Sequence, residues 1–143
     1  MVGVLACLRE YHPPFSPDDV VSDICEVLKR YGLDSVTGDQ YAKEWPPERF
    51  KAHGVTYEAS ELCKNDIYLN ALPLLMQGRV ELLDNPRLVN QICSLERTTS
   101  RAGRDSVSHP TGRAHHDDVA NAALGALVLS AGKRSSGWVW EHI

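Results

Sequence analysis

The sequence lacks several features that would each point to a class of protein. Its 143 residues contain no apolar run of the roughly 18 residues that a membrane span needs, and no signal-peptide pattern. There is no CxxC pair and no GxxxxGKS/T loop, so neither a structural zinc site nor an ATP-binding loop is expected. Positive charge is not in excess either, because 15 Lys and Arg stand against 19 Asp and Glu, a net charge of −4. We therefore expect a soluble, cytoplasmic protein without the general basic surface of a nucleic-acid coat.

What is present is typical of one globular domain. Hydrophobic residues make up 43% of the chain and charged residues 24%, which is enough apolar surface for a core. The four cysteines, Cys7, Cys25, Cys63 and Cys93, are spread singly along the chain. We expect them to be reduced and to act as small apolar side chains in or near the core.

The first forty residues predict a strand, a helix and a second strand. Residues 2–9 form an apolar run that suits a buried strand, and residues 33–38 are predicted to form a second short strand. Between them, Ser16 is a plausible N-cap, Pro17 suits the first helical position, and Gly32 supplies the stop. A strand, helix and strand at this spacing predict a right-handed unit with two parallel strands.

The remainder of the chain alternates short helices and strands, which makes the predicted fold class α/β. The helix over 64–76 should be kinked or divided at Pro73. The other predicted elements are a helix over 46–53, a strand over 55–57, an extended piece over 79–83, a helix that Asn85 caps, a hairpin or loop within 98–113, a helix from Asp117 to about Gly132, and a polar tail over 133–143.

Two places along the chain carry side chains suited to metal chemistry. Asp39 follows the predicted strand over 33–38, and ligands gather at the carboxyl ends of strands in open α/β sheets. His115, His116, Asp117 and Asp118 stand in a row where the last helix begins. Hard cations such as Mg²⁺ and Mn²⁺ prefer carboxylate oxygens. The alternative interpretation is structural, since aspartates also end strands in turns and cap helices.

A locally basic stretch accompanies these acids. Residues 87–113 contain five arginines against two acids, 5 − 2 = +3, in an otherwise acidic chain. The arginines are Arg87, Arg97, Arg101, Arg104 and Arg113. Guanidinium groups bind phosphate well, so this stretch suits a nucleic-acid backbone, although charge runs are often only solvated loops.

Taken in order, several phrases resemble one known family. They are the strand-end GD at 38–39, GRVELLD at 78–84, LERTTSRAGRDS at 95–106 and HDDVANAALGAL at 116–127. From about residue 2 to residue 130 the chain looks like the C-terminal nuclease domain of the large terminase subunit of tailed bacteriophages. The resemblance implies a ribonuclease H-like fold, with a mixed sheet flanked by helices. It also implies cleavage of double-stranded viral DNA during genome packaging, with two Mg²⁺ or Mn²⁺ ions.

The resemblance assigns roles to individual residues. Asp39 corresponds to the second acidic metal ligand of the family and Asp118 to the third, both as catalytic residues, while Asp117 or His116 could share the metal. The candidates for contact with DNA phosphates are Lys64, Arg97, Arg101, Arg104 and Arg113.

The chain departs from the family pattern at its start. The family domain begins with two further strands, the first of which carries the initial catalytic aspartate, and no aspartate precedes Asp18 here. We expect residues 1–132 to be a partial nuclease domain and 133–143 a polar tail. Without those two strands, we expect one of two outcomes. Residues 2–9 pair with residues 33–38, or the piece folds poorly unless a partner chain supplies the missing strands.

Three functional hypotheses are compatible with these sequence features. In the first, the chain is a terminase nuclease fragment whose cleavage is impaired when it is alone. In the second, it is an inactive remnant that binds DNA or a partner. The third and weaker reading is a nuclease like the Holliday-junction resolvases. Expected partners are double-stranded DNA, a separately encoded ATPase portion, the small terminase subunit and the portal, with no membrane.

Overall fold

The computed structural model describes residues 1–39, 45–110, 117–132 and 140–141, with Trp45, Trp140 and Glu141 described through their backbone. Five helices and seven short strands alternate along this part of the chain. In order they are β1 (Gly3–Val4), α1 (Pro17–Arg30), β2 (Ser35–Gly38), α2 (Trp45–Ala52), β3 (Thr56–Ala59), α3 (Lys64–Met76), β4 (Val80–Glu81), α4 (Pro86–Cys93), β5 (Glu96–Thr99), β6 (Asp105–Ser108), α5 (Asp118–Gly132) and β7 (Trp140–Glu141). The α/β class is confirmed.

Helix α1 begins as the sequence predicts. The Ser16 side chain accepts a hydrogen bond from the Asp19 amide, and Pro17 occupies the first turn. Asp18 and Asp19 lie at the positive end of the helix dipole, which favours them. One face of the helix is buried against β2 and α2, where the first core forms from Val21, Cys25, Leu28, Val36, Phe50 and Val55. This core holds β2 in place.

Strand β2 is central in a three-stranded parallel sheet. Its neighbours are β3 on one side and β7 on the other, in the order β3-β2-β7. Helix α2 makes the connection from β2 to β3, as parallel strands require. Three of the four residues of β2, Val36, Thr37 and Gly38, are buried. Asp39, which directly follows this buried strand, therefore lies at the carboxyl edge of the sheet.

The prediction for residues 2–9 was wrong in two respects. Only Gly3–Val4 is a strand, and it pairs in parallel with β4, not with β2. β1 and β2 therefore do not form the predicted parallel unit. The reason lies in packing: Gly3 approaches α5 so closely that an added Cβ would lie 3.1 Å from Leu127 Cδ2. Leu5 then enters the core beside Leu88, which directs the chain away from β2.

Helix α5 is the centre of the second core. It is rich in alanine and is buried on several faces, which lets α3, α4 and β1 pack closely around it. The buried members are Leu5, Ile67, Tyr68, Ala71, Leu88, Val119, Ala123, Leu124 and Leu127. Within the part of the chain that is described, no helix is long and apolar enough to cross a membrane.

Two smaller expectations need correction. Pro73 does not divide α3, because it lies one turn from the end and the helix closes with the Gln77 amide donating to the Pro73 carbonyl. Cys25 is buried as expected, but Cys7 and Cys93 are exposed and Cys63 is half-buried at the start of α3. Nearby apolar side chains fill the core without them.

The close contact between Gly38 and Tyr57 gives a test of this packing. Tyr57 stacks on Phe50, with ring centroids 5.5 Å apart, and a Cβ at Gly38 would lie 2.0 Å from the Tyr57 hydroxyl oxygen. We expect Gly38→Ala to destabilise the protein by about 1–3 kcal/mol, because the core must shift to admit it. Chemical denaturation measures this. Gly132→Ala is the control: a Cβ added at Gly132 has no atom within 4 Å, so this variant should be as stable as the unaltered protein.

Candidate active site

The start of α5 is built around a buried carboxylate. Asp117 is 3% exposed and its backbone carbonyl accepts from the Asn121 amide, so it begins the helix. Its Oδ1 accepts a hydrogen bond from Lys64 Nζ at 2.8 Å. Its Oδ2 accepts from the Tyr68 hydroxyl at 2.7 Å. Both carboxylate oxygens are therefore satisfied, and their direction is fixed.

These contacts set the protonation states. Burial by itself would raise the pKa of Asp117, but hydrogen bonds from Lys64 and Tyr68, with the charges of Lys64 and His109, lower it overall. The pKa of Tyr68 is raised, first by burial and then by its hydrogen bond to Asp117 and the charges of Asp117 and Asp118. At neutral pH the site therefore holds an ionised carboxylate and a neutral phenol.

Lys64 and Tyr68 reach Asp117 together because they are four residues apart on α3. That spacing puts them on one face of the helix. The intervening Asn65 attaches the hairpin of β5 and β6 to the same helix, since its Oδ1 accepts from the Val107 amide at 2.8 Å. On the other side, Gln91 of α4 accepts from the Ala120 amide at 2.9 Å. The first turn of α5 is thus held from two directions.

His109 lies near this site. It follows β6, is half-buried, and its charge lowers the pKa of Asp117. Its Nδ1 lies 3.1 Å from the Pro110 carbonyl oxygen. A carbonyl oxygen only accepts, so Nδ1 carries a proton, and in the neutral ring Nε2 has the lone pair.

One turn along α5, Asn121 is 2% exposed, and its Oδ1 has no hydrogen-bond partner in the part of the chain that is described. A buried polar atom of this kind is uncommon. No motif in the sequence singles out Tyr68, His109 or Asn121. The i, i+4 spacing of Lys64 and Tyr68 was the available signal for a polar pair at the start of α3.

Asp39 and Asp118 occupy the positions predicted for them. Asp39 is half-buried and directly follows β2, and Asp118 is the half-buried first residue of α5. Between described side chains, no group of three or more His, Cys, Asp or Glu is arranged to hold a metal ion. Lys64 and Tyr68 occupy the two carboxylate oxygens of Asp117. His116 lies outside the described residues, so its predicted share of the metal stays a prediction.

The predicted DNA-binding residues fall into three groups. Lys64 directs its ammonium to Asp117, and Arg97 pairs with Asp105 on the neighbouring strand, which Thr99 also contacts. Arg101 and Arg104 lie exposed in the turn of the hairpin, with no ion pair to the described residues. Arg113 lies outside the described residues. The hairpin turn therefore presents two accessible guanidinium groups.

Comparisons with solved structures identify the fold. The chain is similar to the large terminase nuclease of the thermophilic phage G20c, with a TM-score of 0.64 and 17% identity, in structures with bound cobalt and with bound magnesium. It is also similar to the large terminase nuclease domain of Thermus phage P74-26, with a TM-score of 0.63 and 19% identity. The matches cover 87–89% of this chain.

The chain spans 64% of the length of each of these nuclease chains. Comparison with protein-family models and with curated proteins gives no match. The predicted fold is confirmed to this extent: over the part that it spans, the chain has the fold of these large terminase nucleases.

The lowered pKa of Asp117 predicts how stability depends on pH. A carboxylate with a lowered pKa contributes stability that is complete above its unfolded value of about 3.9 and is lost as pH falls through the folded value. We expect Asp117→Asn to lower the free energy of unfolding by about 1–3 kcal/mol at pH 7, with a difference that narrows below about pH 4. Melting from pH 7 to pH 2.5 measures this.

Asp84→Asn, at an exposed position between β4 and α4, is the control and should change the free energy of unfolding by no more than about 0.5 kcal/mol at pH 7. A difference between the Asp117 variant and the unaltered protein that stays constant from pH 7 to pH 2.5 would contradict the assignment.

Proposed function

We propose that this chain is the nuclease portion of a phage large terminase and that it cleaves double-stranded DNA with divalent metal ions during genome packaging. The observation that supports this most directly is the fold match to large terminase nucleases, two structures of which hold bound cobalt and magnesium. Asp39 follows a strand and Asp118 begins a helix, and the sequence resemblance assigns metal ligands to these two residues. Such a protein would work in the cytoplasm of the infected cell, with the ATPase portion, the small subunit and the portal as partners.

The donor chemistry fits Mg²⁺ or Mn²⁺. Both ions prefer carboxylate oxygens, and the candidate ligands Asp39 and Asp118 supply them. When bound, a pair of such ions stabilises the attacking and the leaving oxygen of a phosphodiester. The same carboxylate donors would not suit a soft metal that selects thiolates.

The surrounding residues hold this donor set in place. Lys64 and Tyr68 fix Asp117, and Asp117 in turn fixes the helix start from which Asp118 projects. Lys64 also offsets one negative charge, so that Asp117 and Asp118 do not repel each other in full. Asp117 is therefore a positioning residue in this proposal, and Asp39 and Asp118 are the catalytic pair.

The hairpin of β5 and β6 supplies the DNA contacts. Arg101 and Arg104 are exposed at its turn, and the Asn65–Val107 hydrogen bond attaches the hairpin to the helix that carries Lys64. Two guanidinium groups on a hairpin that is anchored in this way can bind the DNA phosphates on either side of a cleavage site. Arg97 stabilises the hairpin itself through Asp105.

A second candidate is a DNA-binding module without cleavage. The observation that favours it is the absence of a three-ligand metal group in the described part of the chain, with the arginines of the hairpin still exposed. The two candidates differ in whether metal-dependent cutting accompanies DNA binding, so one pair of experiments separates them.

Cleavage is the first experiment. With Mn²⁺ or Mg²⁺, we expect the chain to nick or linearise supercoiled plasmid, and Asp39→Asn and Asp118→Asn to reduce the rate by at least about 100-fold, the scale of removing one electrostatic contributor. Gel quantification over time measures the rate, and EDTA should stop it. Asp84→Asn is the matched control and should cut at the original rate. Equal cutting by all four proteins would show that the proposed acids are not catalytic.

DNA binding is the second experiment. The double variant Arg101→Gln with Arg104→Gln should weaken binding to duplex DNA in Ca²⁺, and lower the slope of log K against log salt by about 2, since each phosphate contact contributes about 0.9. Fluorescence anisotropy at several salt concentrations measures both. Arg30→Gln, on the exposed end of α1, should leave the slope unchanged. An unaltered slope in the double variant would remove the hairpin from the DNA interface.

A further inference from the structure

Asn121 carries a buried polar atom that the fold leaves without a partner. The residue is 2% exposed, and its Oδ1 accepts no hydrogen bond within the part of the chain that is described. An unpaired buried acceptor lowers stability, whereas an apolar side chain of similar shape at the same place is nearly neutral or stabilising. An atom of this kind therefore needs an explanation beyond packing, and one such explanation is a ligand that supplies the partner.

The position of Asn121 on α5 relates this atom to the candidate acids. Asn121 follows Asp118 by three residues and Asp117 by four, which are the spacings of neighbours on a helix surface. Helical side chains lean toward the N-terminus of their helix, so the Asn121 side chain lies over the turn that Asp117 and Asp118 begin. The carboxylate of Asp117 is no partner for Oδ1, because it only accepts and is already bonded to Lys64 and Tyr68.

A divalent cation at this turn would be such a ligand. Acids are few here, since the described side chains include no group of three or more His, Cys, Asp or Glu that could hold a metal ion. Hard cations take about six oxygen ligands, and amide carbonyl oxygens serve beside carboxylates. Two ligands three residues apart on one helix are also a known arrangement, since di-iron carboxylate proteins use a Glu and a His at that spacing. Asp118 and Asn121 have the same spacing.

We propose that Asn121, through its amide oxygen, is a neutral ligand of the divalent cation that Asp118 binds. The inference deepens the proposed function and rests on it. Rotation of an Asn amide about its last torsion is soft and roughly two-fold, so Oδ1 can turn to a cation while α5 keeps its place. The cation would supply the partner that Oδ1 lacks among the described residues. Because the ligand is uncharged, it adds an oxygen without adding to the repulsion between Asp117 and Asp118.

Metal binding and metal-free stability, measured together, test this assignment. Free Mn²⁺ gives an electron paramagnetic resonance signal that is lost on binding, so titration of the full chain yields an affinity. We expect Asn121→Leu to weaken Mn²⁺ binding by at least about tenfold, the lower end of the usual effect at metal sites. Without metal, the same variant should melt at the temperature of the unaltered protein or higher, because the change removes an unpaired polar group.

Two further substitutions at Asn121 control for its size and shape. Asn121→Ala removes the oxygen without adding bulk, so it takes the place of Asn121→Leu if that variant fails to fold. Asn121→Asp keeps an oxygen at the same position, and it should recover Mn²⁺ binding to at least the original affinity.

The matched control is Asn70→Leu. Asn70 is exposed on α3, two residues beyond Tyr68 and so on a different side of that helix, and the change removes one amide without reaching the start of α5. It should bind Mn²⁺ with the original affinity. Asp118→Asn should weaken binding, because it removes a proposed carboxylate ligand. Circular dichroism shows that each variant is folded before it is titrated.

Weaker binding by the folded Asn121→Leu or Asn121→Ala, recovered by Asn121→Asp, supports the proposal. The original affinity in these variants, while Asp118→Asn binds weakly, overturns it and leaves the proposed function intact. A loss that Asn121→Asp does not recover also overturns it, because a carboxylate oxygen serves a hard cation at least as well as an amide oxygen. A chain that shows no Mn²⁺ binding at all overturns the metal-dependent function, and this inference with it.

Discussion

The buried carboxylate of Asp117 is the constraint on which the candidate site depends. A charge that is 3% exposed is costly unless it is paired and hydrogen-bonded, and here both oxygens are satisfied from one helix. Because Lys64 and Tyr68 are one turn apart on α3, the two bonds fix the start of α5 in position and in rotation. Asp118, the next residue along, takes its direction from that arrangement.

The same helix also fixes the hairpin, which links the acids to the arginines. Lys64 holds Asp117, and the next residue, Asn65, holds Val107 of the hairpin through its backbone amide. The start of α5, which carries Asp118, and the hairpin that carries the arginines are therefore attached to adjacent residues of one helix. A nuclease needs its cations and its arginines at a fixed separation. The scissile phosphate must contact the cations while the arginines bind the neighbouring phosphates. Exposed arginines on an unattached loop would bind DNA without aligning it.

Local signals in the sequence are sufficient to predict where these helices begin, but they do not predict which strands pair. Ser16 and Asn85 each cap a helix as predicted, because capping depends on a few neighbouring residues. The partner of β1 is decided by packing of Gly3 on Leu127, and no short-range pattern carries that information. Asp39 and Asp118 are candidates from their places at element ends and from the family resemblance, and their role as metal ligands stays a prediction. No local pattern indicates that the hydroxyl of Tyr68 donates to Asp117, because the two residues lie on different helices.

Asp39 and Asp118 are carried by elements that pack in different hydrophobic cores, and this bears on how the site is assembled. The core around α1 and β2 shares no buried member with the core around α5 in the described residues. The N-terminal segment connects them through exposed ion pairs, Arg9 to Asp23 and Glu10 to Arg87, each worth at most about 1 kcal/mol. Strand β7 adds backbone pairing to β2. A cation bound by acids from both sides would favour their assembled arrangement, because a ligand stabilises the state that binds it. Metal binding and the closing of this fold are therefore expected to be coupled.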